Sequence, residues 1–242
     1  MAQMTSWAPL VPGSLIPAGD LRPLELYTPG DLFSWPELQS LCSDGILAHL
    51  FRDAYLLPGQ SPTASLRARA AARGVPASIR RRVVAGRMTA AWIHGCSPPP
   101  ERLALLVDSN HRISALRATR GCTLHQVTLG RCDVVSLGGL MVSSPLRTAV
   151  DLALHVPAEF AVPALQKLLQ RRQGDVRLRL LELAISTSPR LPHKVAALEK
   201  LAASAAALVT CGAVDVEDSV NAPDSVQDMV QVLGVPHLKG EL

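Results

Sequence analysis

The segment Met141-Val-Ser-Ser-Pro-Leu-Arg-Thr-Ala-Val-Asp-Leu152 constrains the fold more than any other, because it runs a strand straight into a helix. Ser144 reads as an N-cap, and Pro145 fits the first helical position, where a missing N–H is no loss. Leu146, Ala149, Val150 and Ala153 then recur at i, i+3, i+4 and i+7, the spacing of one buried helix face. A strand delivered into such a helix needs a sheet and a helical layer to receive both, so the class is α/β with a mixed sheet.

Short apolar runs supply the rest of the sheet. Leu103–Val107 suits a strand buried on both faces. Ile113–Leu116, Thr123–Leu129, Val134–Leu137 and Leu140–Val142 add further strands, with Gly138-Gly139 as the hairpin turn between the last two. Helices are expected over Ala158–Arg171, kinked or restarted at Pro163, over Asp175–Ser186 and over Lys194–Leu208. Aromatic residues are 3% of the chain against 48% hydrophobic residues, so the core has to be built from Ala, Val and Leu.

The first half reads as three pieces. Residues 1–30 carry Pro9, Pro12, Pro17, Pro23 and Pro29 and are expected as an extended arm. Residues 31–60 read as a small unit. Ser34, Pro36 and Glu37 start a helix over Trp35–Cys42 that Asp44-Gly45 ends, Ile46–Phe51 forms a second short helix, and Ala54–Leu57 is a strand, which is the outline of a winged helix. After a linker at Pro58–Thr63 the main domain runs over 61–208. It opens with an Ala/Arg-rich helix that Thr63 caps and Gly74 stops. A helix over Gly86–His94 places Met88, Ala91 and Trp92 on one side and ends at Gly95. The tail, 209–242, fits a strand or hairpin plus a helix equally well.

Charge is partitioned along the chain. The net charge of +4 hides 13 basic and 3 acidic residues in 61–150, against 2 and 6 in 1–60 and 1 and 6 in 209–242. The arginines at 67, 69, 73, 80, 81, 82 and 87 therefore form the candidate nucleic-acid footprint. Arg67 and Arg69 diverge by about 200° around a helix, so the alternative is a solvated helical surface. Arg147 and Asp151 can pair at i, i+4, yet the cation stands at the positive helix end. The expectation is that Arg147 clamps another element while Asp151 holds it. His94 reads as a helix-end residue rather than a base or ligand, and Trp92 as packing rather than a stacking surface for a base.

No catalytic or metal-ligating constellation is found: there is no Gly-x-Ser-x-Gly elbow, phosphate-cradling Gly-rich loop, Cys-x-x-Cys or clustered histidine. The five cysteines are scattered and read as buried thiols, so neither a disulfide framework nor a metal cofactor is expected. No apolar run is long enough to span a bilayer and no basic leader opens the chain, so a cytoplasmic location is expected.

The paired blocks Thr89-Ala-Ala-Trp-Ile-His-Gly95 and Ser143-Ser-Pro-Leu-Arg-Thr-Ala-Val-Asp-Leu152, with a strand-rich segment between them, resemble the AbiEi-like antitoxins of bacterial abortive-infection systems. The likeness runs over about Phe33 to Leu154 and rests on Thr89, Trp92, His94, Gly95, Ser144, Pro145, Arg147, Thr148 and Asp151. It implies an N-terminal winged helix on operator DNA and an α/β antitoxin-type domain that counters a nucleotidyltransferase-like toxin, with no enzymatic activity. The departure falls on DNA binding: Ser34–Tyr55 holds one Arg and no Lys against Glu37, Asp44 and Asp53, so the winged-helix unit is degenerate. The rival readings are an interaction module of the same fold that has lost DNA binding, and an enzyme acting on nucleic acid. Oligomeric state is not legible.

Overall fold

A computed structural model describes residues 25–109, 121–171, 177–187 and 193–210. The arm up to residue 24, the strand expected at Ile113–Leu116 and the tail from residue 211 lie outside the described residues.

The first described elements are helix α1 (Trp35–Ser43) and a hairpin of β1 (Ala48–Phe51) and β2 (Ala54–Leu56). The Ser34 backbone N–H and hydroxyl both donate to the Glu37 carboxylate, at 2.7 Å and 2.8 Å, which fixes where α1 starts. The expected second helix at Ile46–Phe51 is instead β1. A six-residue apolar run does not distinguish helix from strand, and pairing with Ala54–Leu56 decides it. Arg52 makes the tight turn with φ of 52°, and a register shift between His49 and Phe51 twists the hairpin.

The second piece is a five-stranded mixed sheet. Helix α2 (Ala64–Arg73), a turn of helix α3 (Ala77–Arg80), strand β3 (Val84–Ala85) and helix α4 (Arg87–Ile93) lead into β4 (Leu103–Asp108) and β5 (Cys122–Val127). The hairpin β6 (Val134–Leu137) and β7 (Leu140–Ser143) follows, with Gly138 and Gly139 both at positive φ as a two-residue turn of this hand requires. Strand order is β5-β4-β3-β7-β6. β4 runs parallel to β5 and β3 parallel to β7, whereas β3–β4 and β6–β7 are antiparallel. The two-residue β3 at the centre was not expected, because Val83-Val84-Ala85 is too short to carry a period.

Helices α5 (Pro145–His155), α6 (Ala158–Gln170), α7 (Leu178–Thr187) and α8 (Lys194–Thr210) are the last described elements. Thr63 and Ser144 cap α2 and α5 by accepting from Leu66 N and Arg147 N. α6 continues through Pro163 without a restart.

The described residues form two main cores that meet at α4. Trp92, Ala90 and Ile93 join the hairpin, α2 and the sheet, while Ala91 and Met88 join α5–α8. The expectation that Met88, Ala91 and Trp92 share one side is therefore corrected: α4 is sandwiched and buried nearly all round, so a face argument does not apply to it. The first core also contains Phe51, Ala54 and Leu56, so the hairpin of the N-terminal unit packs into the main domain. The rings of Phe51 and Trp92 lie 4.7 Å apart.

Candidate functional site

The two motif blocks come together where α4 ends, β7 ends and α5 begins. His94 caps α4, and its Nε2 donates to the Ser143 carbonyl at 2.8 Å. A carbonyl only accepts, so the proton sits on Nε2. The side chain is buried, and burial pushes its pKa below the ordinary value, so the ring is neutral rather than a cation at its own helix end. The Ser143 hydroxyl meets that of Thr148 at 2.8 Å, and Thr148 Oγ1 also reaches the Ser143 carbonyl at 3.2 Å. Thr89 Oγ1 accepts from Ala104 N at 2.8 Å, tying α4 to β4. Gly95 ends α4 with φ of 80°, where a side chain would be strained.

Arg147 lies at the hub of a second set of bonds. Its Nε donates to Asp151 Oδ1 at 3.0 Å, and its Nη1 donates to Asp133 Oδ2 at 2.9 Å and to the Thr128 carbonyl at 3.0 Å. The guanidinium thus joins α5 to the segment between β5 and β6, and Asp133 also accepts from Gly130 N at 2.8 Å. Asp133 supplies the negative charge that the positive helix end could not.

Arg147, Asp151 and His155 recur at i, i+4 and i+8, and this stripe of α5 faces the start of α4. There Arg87 carries a left-handed φ of 51° and donates from Nη1 to His125 Nε2 at 3.3 Å. Arg87 Nε and Asp151 Oδ2 are buried without a hydrogen-bond partner among the described residues. Burial raises the pKa of Asp151, against the pull of Arg147 and Arg87. Burial, then Arg87, Arg147, His125 and His193, lower that of His155 to about 4. His125 is lowered by burial and by Arg87. Arg87 thus contributes to lowering the pKa of both His125 and His155. Sequence reasoning did not single out Arg87's backbone, His125, Asp133 or His155, although the spacing 147, 151, 155 was there to be read.

The arginines proposed as a footprint are spread over the molecule. Arg69 pairs with Glu25 at 3.4 Å, and Arg73 with Asp53 at 2.7 Å. Arg80 donates to the Val75 carbonyl at 3.0 Å, and Arg87 is taken up by His125. Arg67 is half-buried at the far end of α4, beside Arg171, and Arg81 and Arg82 are exposed. Trp92 is 3% exposed against Phe51, which leaves no ring face for a base.

A separate cleft of about 470 Å³ opens between α1 and the hairpin, lined by Trp35, Gln39, Cys42, His49, Arg52 and Tyr55. Among the described residues, no group of three or more His, Cys, Asp or Glu side chains is placed to hold a metal ion. No described helix is long and apolar enough to cross a membrane.

No family model matches the chain, and no curated protein matches it. Among solved structures it is similar to the crystal structure of the RV2827C protein from Mycobacterium tuberculosis, at 18% identity over 72% of this chain and 68% of that chain. The TM-score is 0.36, too low for the likeness to carry an argument about fold or activity.

Proposed function

We propose that the chain is a non-enzymatic regulatory protein of the antitoxin type, acting against a nucleotidyltransferase-like toxin through its α/β domain. The observation that carries this reading is the use of the motif side chains. His94, Thr89, Thr148 and Arg147 each bond a backbone group or one another, tying α4, β4, β7 and α5 into one body. Groups held this way serve as a scaffold, which supports a non-enzymatic reading. A nucleophile or general base has to keep an atom available to substrate.

A second reading, an interaction module of the same fold without DNA binding, is favoured by the arginines. Arg69 pairs with Glu25 and Arg73 with Asp53, Arg80 is bonded to the Val75 carbonyl and Arg87 to His125, and Arg67 lies beside Arg171. A protein that tracks a phosphate backbone needs its cations along one surface.

The test is co-expression with a nucleotidyltransferase-like toxin encoded beside it, together with a mobility-shift assay on its own promoter. Rescue of growth without a shift supports the antitoxin reading in its DNA-independent form. A shift that Arg81→Ala with Arg82→Ala abolishes would restore operator binding, and failure to rescue together with an isolated locus would leave the interaction module.

A further inference from the structure

We propose that Arg67 and Arg171, with Lys167 beside them, form a binding site for a phosphate-class oxyanion at the C-terminal end of α4. The geometry is read from Gly95. Arg171 Nη1 and Arg67 Nη1 lie 2.5 Å and 2.7 Å from the point that a Cβ on Gly95 would occupy. The two nitrogens are therefore no more than about 5.2 Å apart, the sum of those distances, and one oxygen at an ordinary charge-assisted length of about 2.8 Å reaches both. They arrive from different elements, Arg67 from α2 and Arg171 from the end of α6, so the fold and not local sequence brings them together.

Among the described residues neither guanidinium has a carboxylate partner. Arg171 has a long bond of 3.4 Å to the His94 carbonyl, and Arg67 has no hydrogen-bond acceptor. The negative ends of α4 and α6 account for one cation held here. They do not account for a second, half-buried one pressed against the first, which burial and the Arg171 charge both disfavour. Lys167, four residues before Arg171 on α6, adds a third positive charge within electrostatic range of Cys96. Arg171 and Lys167 are exposed, so the outer side of the pair is open to solvent.

An anion turns this repulsion into two charge-assisted bonds. Two guanidinium groups whose Nη1 atoms lie within about 5.2 Å of each other suit a tetrahedral ion with several acceptor oxygens better than a single planar carboxylate. Gly95 is required for its positive φ, and its bare Cα lets both guanidinium tips approach the end of α4.

The experiment titrates inorganic phosphate into the full chain at constant ionic strength and follows the melting temperature, with nucleoside monophosphate and a glutamate-rich peptide as parallel arms. The site predicts a saturable rise with phosphate or its ester and none with the peptide. Arg67→Gln and Arg171→Gln should each raise the midpoint at least about tenfold. Relief of the like-charge contact should leave Arg67→Gln melting no lower than the parent in the absence of phosphate. An equal rise with sodium chloride, binding of the peptide alone, an unchanged midpoint in Arg67→Gln, or a marked drop in its unliganded melting temperature would each overturn the proposal. The readout is ligand-linked stability of the purified chain, so its failure is independent of toxin rescue.

Discussion

Replacing Arg147 with Ala isolates a buried charge. Asp151 is 1% exposed, its Oδ1 is held by Arg147 Nε at 3.0 Å, and its Oδ2 has no partner among the described residues. In Arg147→Ala both oxygens are orphaned, and the Thr128 carbonyl and Asp133 lose a donor as well. Breaking a buried pair from one side costs about 3–5 kcal/mol, because the stranded charge keeps its desolvation penalty. The Asp133 arm adds little, since that carboxylate is 29% exposed and screened by solvent. At about 2–4 °C per kcal/mol for a chain of this size, the melting temperature should fall by about 6–20 °C.

Urea unfolding of the parent, Arg147→Ala and Arg147→Met/Asp151→Leu measures the effect. The double variant should recover at least half of the loss, because it removes the stranded charge together with its partner. Acid should narrow the gap between parent and single variant. Asp151's raised pKa means that the stability linked to its protonated form is complete below the unfolded value of 3.8 and is lost as pH rises through the folded value. A loss under about 1 kcal/mol, or a double variant no better than the single, would refute the stranded-charge argument.

Three further outcomes are expected. His155, lowered from 6.5 to about 4, contributes stability that is present above pH 6.5 and lost as pH falls toward 4; His155→Gln should flatten the pH–stability profile over that window, and an identical profile would remove His155 as a cause. Trp92→Ala should cost about 3–5 kcal/mol and, because Phe51 packs on the ring, hydrogen exchange should quicken in β1 and β2 as well as in α4; an unperturbed hairpin would show the N-terminal unit to be independent. Thr89→Val, nearly isosteric, leaves Ala104 N buried without its acceptor and should cost about 1–3 kcal/mol by calorimetry, whereas a neutral result would mean that water replaces the hydroxyl.

What could be read before the structure was whatever local chemistry decides. Ser144 and Pro145 start α5, Thr63 starts α2, Gly95 stops α4 and Gly138-Gly139 turn the β6–β7 hairpin, since caps and turns depend on a few neighbouring residues. Leu103–Val107 was legible as a strand buried on both faces for the same reason. Ile46–Phe51 was misread because partner pairing, not periodicity, makes it β1. Distant partners were also hidden. Asp133 reaches Arg147 only once the β6–β7 hairpin has closed, and Arg171 meets Arg67 only when α6 lies against the end of α4. The dispersion of the arginines was partly visible in the divergence of Arg67 and Arg69, while their pairing with Glu25 and Asp53 required the fold.

The shortest strand has the widest consequence. Val84 and Ala85 pair with Leu106 and Leu105 on one side and with Met141 and Val142 on the other, so the two halves of the sheet are stitched along a seam two residues long. On the β4 side the partners are separated only by α4 and its following turn, whereas on the β7 side they come from distant parts of the chain. Loop closure makes the β3–β7 side, whose partners lie about 57 residues apart, the entropically more costly side of the seam to form. Across that short seam α4 is the staple, with Thr89 Oγ1 holding Ala104 N of β4 and His94 Nε2 holding the Ser143 carbonyl of β7.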